Sequence, residues 1–194
     1  MDSFVHLHVH SHYSVLDGMS TISGLVDKAS KSGMHSLALT DHGNMYGIKD
    51  FFNYTKKKNG KIKDKVSSLK KQLSTASDAE KPGLEKQIEE NQQKIFKPIF
   101  GCEAYVAHRG LLSKDGAEDR SGYHLILLAK NKIGYRNLCK LVSTSWIDGM
   151  YYRPRIDHEL LKKYSEGLIV SSACLGGEIH KKIEKGDQGE GKEN

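Results

Sequence analysis

Four of the chain's ten histidines fall within seven residues, His6-Leu7-His8-Val9-His10-Ser11-His12. In an extended strand, successive side chains point to opposite faces. This spacing sets His6, His8 and His10 on one face and Val5, Leu7 and Val9 on the other. Imidazole is the commonest protein metal ligand near neutral pH, and two rings two residues apart on a strand can converge on one ion. The chemistry predicted is metal binding. Interleaving with core-type residues argues against an appended tag, whose histidines would be contiguous.

The elements that must carry these residues follow from apolar spacing. Phe4 to His10 reads as a strand. Ser20 or Thr21 can cap a helix whose apolar positions Ile22, Leu25, Val26 and Ala29 recur at helical intervals, with Gly33 closing it. Ser36 to Thr40 is a short buried strand ending at Asp41-His42-Gly43-Asn44, and Ile48, Phe51, Phe52 and Tyr54 belong to a second helix. Residues 57–95 break the rhythm. Ile62, Val66, Leu69, Leu73 and Ala76 form a heptad seam, Asp78 to Gly83 is a turn around Pro82, and Leu84, Ile88 and Ile95 resume the seam with Asn91 between them. This predicts an antiparallel helical hairpin projecting from the domain. Strand signals return at Pro98–Val106, Tyr123–Ala129 and a buried Gly167–Ser171, with a polar loop at 109–122 and a helix at 131–145. Gly186 to Asn194, Gly-rich and charged, is expected to fray. Strands alternating with helices predict an α/β fold with a parallel sheet or barrel, in which chemistry sits at the carboxyl ends of strands.

Composition narrows the class. The 194 residues suit one domain, without 18 consecutive apolar residues to span a membrane and without a secretory signal. Cys102, Cys139 and Cys174 are odd in number and lack C-x-x-C spacing, which speaks against a disulfide framework and for a reducing cytoplasm. The net charge of +6 is local: residues 56–97 hold 12 of 30 Lys and Arg and 6 of 24 Asp and Glu, leaving 18 basic against 18 acidic elsewhere. Those lysines could brush a phosphate backbone, but without an aromatic residue before Phe96 for stacking they read more simply as a solvated face.

Potential metal ligands stand at the predicted strand ends in turn: His8 and His10 with Asp17 in the following loop, Asp41-His42, Glu103, His124 and Cys174. Each alone is weak, since a lone cysteine is usually a small hydrophobe. Together they form a pattern. The segments His8-Val9-His10-Ser11-x-Tyr13-Ser14-x-x-Asp17-Gly18, Leu39-Thr40-Asp41-His42-Gly43-Asn44, Lys97-Pro98-Ile99-x-Gly101-x-Glu103-Ala104-Tyr105, His124-Leu125 and Ser172-x-Cys174-Leu175-Gly176 resemble the polymerase-and-histidinol-phosphatase (PHP) family. Gly134-Tyr135-x-Asn137-Leu138 and Arg153-Pro154-Arg155-Ile156-Asp157 narrow the resemblance to the N-terminal PHP domains of bacterial DNA polymerase III alpha subunits.

The resemblance implies a distorted (β/α)7 barrel with up to three divalent ions, zinc or manganese. His8, His10, Asp17, His42, Glu103, His124 and Cys174 would be the ligands. Asp17, His10 and Glu103 would be the catalytic metal-holding groups, and Asp41 would orient a ligand histidine through its other ring nitrogen. His6, His12, His35, His108, His158 and His180 are not expected to be ligands. Arg153 and Arg155 could contact a nucleic-acid backbone or serve in structural salt bridges. The family's last Asp-x-His motif has no counterpart, since Asp157-His158 is adjacent rather than spaced. Residues 1–194 are therefore expected to form a partial domain interrupted by the hairpin at 57–95, with fewer ions and weak or no activity alone. The parent would be a cytoplasmic DNA-directed DNA polymerase. Its partners would be the primer 3′ end, the rest of the polymerase chain, and replicase subunits including the sliding clamp. Clustered ions suit a metal-dependent phosphodiesterase acting as a proofreading 3′–5′ exonuclease. The rivals are a structural PHP domain that stabilises the polymerase and docks partners, and a stand-alone phosphomonoesterase of the histidinol-phosphatase type.

Overall fold

The computed structural model describes residues 4–184 and 186; residues 187–194, most of the stretch expected to fray, lie outside them. Helix α1 (Ile22–Lys31) forms as its spacing predicts. The Thr21 hydroxyl accepts from Gly24 N at 3.2 Å, and Ile22, Val26 and Ala29 bury one stripe. The helix ends at Gly33, whose φ of +79° lets Gly33 N bond Ser30 O and Met34 N bond Ala29 O. That pair of bonds needs a left-handed residue at this point.

Strand β1 (Ser36–Leu39) is wholly buried. The segment before it, expected as a strand from Phe4 to His10, lies beside β1 without a regular ladder. Ala38 N donates to His6 O and Thr40 N to Val9 O, but Val9 N donates to the Thr40 hydroxyl at 2.9 Å rather than to a main-chain carbonyl. The threonine side chain thus interrupts the pairing, and the alternation of faces fails with it: Leu7 is half exposed.

Helix α2 (Ile48–Thr75) runs unbroken through the expected boundary near residue 57. Its Ile48, Phe51 and Thr55 pack on the body, and its far half meets α3 (Lys81–Gln93) in a small core of Val66, Leu69 and Ile88. The two helices are antiparallel, as the heptad seam predicts. At their base, Asn59 Nδ2 donates to Phe96 O at 2.7 Å and Phe96 N donates to Asn59 Oδ1 at 2.9 Å. The reversal lies earlier than predicted. Pro82 sits in the first turn of α3, where its missing N–H costs nothing.

Strand β2 (Lys97–Val106) is the hub of the sheet. Its first half pairs in parallel with β1, from Ser36 opposite Lys97 to Leu39 opposite Phe100. Its second half pairs antiparallel with β3 (Tyr123–Ala129), and its last two residues pair in parallel with β5 (Arg153–Ile156). Between β3 and β5 come α4 (Lys132–Ile147) and the two-residue β4 (Met150–Tyr151). Then follow α5 (His158–Lys163), β6 (Leu168–Ser172) and α6 (Glu178–Glu184), with β6 antiparallel to β3. The sheet is therefore mixed, not parallel. No crossover helix joins β2 to β3: the link is a loop with one 3₁₀ turn at Ala117–Arg120, which lets β3 return antiparallel. Strand β6 is an exposed edge rather than the buried strand its apolar residues suggest, with Ile169 and Val170 about half exposed. Among the described residues no ladder joins β6 to β1.

One consequence positions the site. Because β3 is reversed and β6 reversed again, the carboxyl ends of β1, β2 and β6 meet the amino end of β3. At the base of the hairpin, Asn59→Ala removes a reciprocal pair of half-buried hydrogen bonds. Denaturant titration is expected to show a loss of about 1–3 kcal/mol; a change within a few tenths would mean the hairpin is anchored elsewhere.

Candidate metal centre

Glu103 lies within β2 with 1% of its side chain exposed. Such a carboxylate needs partners, and here they are imidazoles. Its Oε2 is 3.1 Å from His10 Nε2 and 2.7 Å from His42 Nδ1. Its Oε1 is 2.8 Å from His124 Nδ1 and 3.7 Å from His8 Nε2. Cys174 Sγ stands 4.0 Å from Oε1 and 3.5 Å from His124 Nδ1. Asp17 joins through His42, whose Nε2 is 2.5 Å from Asp17 Oδ2.

Each side chain is delivered by a local device. His42 follows β1 and continues its pairing, with Glu103 N donating to Asp41 O and Gly43 N to Glu103 O. His124 is the second residue of β3, and its N–H bonds Gly176 O in the loop that carries Cys174. Asp17 sits in a turn closed by bonds from Asp17 N and Gly18 N to Ser14 O. Three overlapping groups have ligand atoms within 4.8 Å of one another: His8, His10 and Glu103; His10, Asp17 and His42; and His42, Glu103 and His124. Cys174 borders them, and His6, His12, His35, His108, His158 and His180 belong to none. His158 instead pairs with Glu178 at 3.0 Å, and His108 packs edge-on against Tyr123.

A family profile for the PHP domain matches residues 6–194. The chain belongs to the PHP domain family. Among curated relatives, the DNA polymerase III subunit alpha of Borreliella burgdorferi is 44% identical over 181 residues, covering 93% of this chain and 13% of that protein. The same subunit of Treponema pallidum is 41% identical over 193 residues, 99% of this chain and 13% of the relative. That of Campylobacter jejuni is 41% identical over 180 residues, 93% and 12% respectively. The chain thus spans about an eighth of the length of these relatives. A solved amidohydrolase from Chromobacterium violaceum overlays with a TM-score of 0.36 at 17% identity, over 72% of this chain and 34% of that one, too slight a likeness to argue from.

Two of the sequence assignments to this PHP domain need correction. Asp41 touches no histidine ring. Its carboxylate accepts from Ser11 N at 2.6 Å, from the Ser11 hydroxyl, and from the Ser14 hydroxyl at 2.8 Å. The groups that do meet ring nitrogens are hydroxyls missed from sequence: Ser14 Oγ lies 2.8 Å from His10 Nδ1, and Thr40 Oγ1 lies 2.8 Å from His8 Nδ1. Arg155 is fully buried and donates to Gly149 O, Leu111 O and Ser113 O, so it fastens the 109–122 loop and cannot reach a nucleic acid. Arg153 is exposed, its guanidinium 5.7 Å from the centre of the Tyr105 ring, which in turn packs against His42 and His124.

The charges are organised around Glu103. Burial alone would push its carboxyl up, but His10, His124 and His42 outweigh that and hold it well below the usual carboxylate range. His42 and His124 are raised, chiefly by contact with Glu103, against the opposing effect of burial. His8 is lowered, first by burial. Yet the pairing is incomplete: His42 Nδ1 and Glu103 Oε2, 2.7 Å apart, are both buried atoms without an aligned hydrogen-bond partner. A nitrogen and an oxygen facing one another in this way are the donor set of a divalent cation, and imidazole with carboxylate suits zinc or manganese. The residues fit the group.

A raised histidine stabilises the fold fully below its ordinary value near 6.5 and loses that contribution as pH rises through its folded value. His8, lowered below that value, acts in the opposite sense, but its contribution changes mainly below pH 6.5. The thermal midpoint of the metal-free chain is therefore expected to fall from about pH 6.5 to about pH 8.5. A midpoint that is flat or rising over that interval contradicts this arrangement of charge.

Proposed function

We propose that this chain is the PHP domain of a bacterial replicative DNA polymerase. In this reading its cluster is a divalent-metal phosphodiesterase centre that removes nucleotides from a DNA 3′ end. The observation that carries it is the convergence of His8, His10, His42, His124, Asp17 and Cys174 around one buried carboxylate, in a chain whose curated relatives are polymerase alpha subunits. The chemistry that clustered divalent ions supply in such a centre is activation of a water and neutralisation of charge on the departing oxygen. Glu103 presents both oxygens to separate histidines and so can join two ion positions. Asp17, at the solvent side with 62% of its side chain exposed, offers charge where substrate enters. Arg153 places a cation on Tyr105 at the rim, where a phosphate beside the cluster would lie.

The polymerase's own partners, among them the primer terminus, the remainder of the chain and a sliding clamp met through the parent, follow from the same reading. So does a cytoplasmic location; among the described residues, no helix is long and apolar enough to cross a membrane.

The test uses the full-length polymerase that contains this domain. His10→Ala and Asp17→Asn are each expected to lower 3′–5′ degradation roughly 100-fold or more, since loss of even an outer partner of a ligand costs 10–100-fold. Primer extension is expected to persist. Unchanged degradation in both variants overturns the reading and leaves the domain a structural one. Arg153→Ala is expected to weaken DNA binding and reduce its salt slope by about one, with thermal stability unchanged; an unaltered slope removes Arg153 from the phosphate path.

A further inference from the structure

We propose that Ser14 and Thr40 are positioning residues that lock the rings of His10 and His8 in one tautomer, so that the pocket of His8, His10 and Glu103 is built before any ion arrives and fills first. The inference rests on the metal-centre reading, and deepens it.

The argument turns on how many protons each hydroxyl has. Ser14 Oγ carries one, and it lies 2.8 Å from Asp41 Oδ1, a carboxylate oxygen that only accepts. That bond uses the proton. The same oxygen accepts from His42 N at 3.1 Å, and its remaining neighbour is His10 Nδ1 at 2.8 Å. With its proton committed to Asp41, Ser14 can only accept there. His10 must therefore donate from Nδ1, which leaves the lone pair on Nε2, 3.1 Å from Glu103 Oε2. A lone pair facing a carboxylate oxygen is repulsive in a neutral ring and becomes attractive once a cation lies between them.

Thr40 offers a weaker version of the device. Its hydroxyl accepts from Val9 N at 2.9 Å and reaches Val9 O at 3.2 Å; with its one proton given to that carbonyl, it can only accept from His8 Nδ1, 2.8 Å away. His8 Nε2 then turns toward Glu103 Oε1. Ser14, Asp41 and Thr40 are buried, so these bonds meet little competition from water.

The other half of the cluster lacks such outer partners. Both ring nitrogens of His42 face carboxylates, Asp17 is mostly exposed, and Cys174 lies on an exposed loop. Asp17 and Cys174, exposed and without such partners, have more freedom to lose when an ion binds, and that loss weakens binding. The pinned pocket, with its ligands already in place, takes the first ion.

The experiment is a long-range ¹H–¹⁵N correlation on the metal-free 194-residue chain at about pH 9, above the ordinary imidazole range. His8 and His10 are expected to carry the proton on Nδ1, the minor form of a free imidazole side chain in water. A proton on Nε2 of His10 overturns the proposal without any substitution. Stepwise zinc titration of the same chain supplies the second readout. Ser14→Ala and Thr40→Val are expected to weaken the first step by 10–100-fold, Thr40→Ser to restore it, and Asp17→Asn to alter only a later step. A first step unchanged in folded Ser14→Ala overturns the proposal. Failure of the unsubstituted chain to bind zinc overturns the metal reading itself, while the tautomer measurement still decides whether the hydroxyls lock the rings.

Discussion

The buried carboxylate of Glu103 is the constraint on which the rest of the molecule depends. A charge taken out of water within a strand is tolerated only where opposite charge or strong donors reach it. No lysine or arginine does so among the described residues; four imidazoles ring it from three separate parts of the chain, and His42 and His124, raised by it, bring the charge. The requirement explains why β2 is the hub. Only a strand paired with β1 along its first half and with β3 along its second can have His42 at one neighbour's carboxyl end and His124 at the other's amino end. The mixed sheet is thus tied to the site: with β3 parallel, His124 would stand at the opposite end of the sheet.

Much of this was legible in the sequence where the signal is local. The Thr21 cap and the Gly33 stop of α1 depend on a few neighbouring residues, and both are found. The seven side chains selected for ligand chemistry meet in space because residue type and strand-end position carry that information together. What the sequence hid depends on tertiary surroundings. Ile169 and Val170 look like core residues, and their exposure follows from what does not pair beside β6. Arg153 and Arg155 are two residues apart and alike in type, yet one meets solvent while the 109–122 loop closes over the other. The continuity of α2 was obscured because a lysine-rich segment looks like a break, although Lys, Gln and Leu are good helix formers. Ser14 and Thr40 stood in the family motifs without a role assigned, since serine and threonine are common and only their placement beside a ring nitrogen gives them one.

The irregular first segment makes the same point from the other side. A regular strand from Phe4 to His10 would alternate its histidines onto one face by geometry alone. In the structure the Thr40 hydroxyl takes the Val9 N–H and lies beside His8, so the interruption of the ladder and the orientation of the ring come from one atom. Pairing energy is given up at the position where side-chain direction is needed, as is common where local rules are broken at functional sites.

Asp41 and Glu103 show why one buried carboxylate is scaffold and the other is a centre. Asp41 lies just past the end of β1 and Glu103 within β2, joined by the bond from Glu103 N to Asp41 O, and both are almost completely buried. Asp41 is surrounded by neutral donors, a backbone N–H and two hydroxyls, all aligned, so it has no remaining need of a cation. Glu103 is surrounded by imidazoles that approach without aligned bonds at Oε2. Its stabilisation depends on protons or metal ions that come and go with the surroundings. The fixed carboxylate holds Ser14, Ser14 faces His10, and His10 faces the unsatisfied carboxylate. Rigidity therefore runs from the satisfied charge toward the unsatisfied one, which is the direction a preorganised binding site requires.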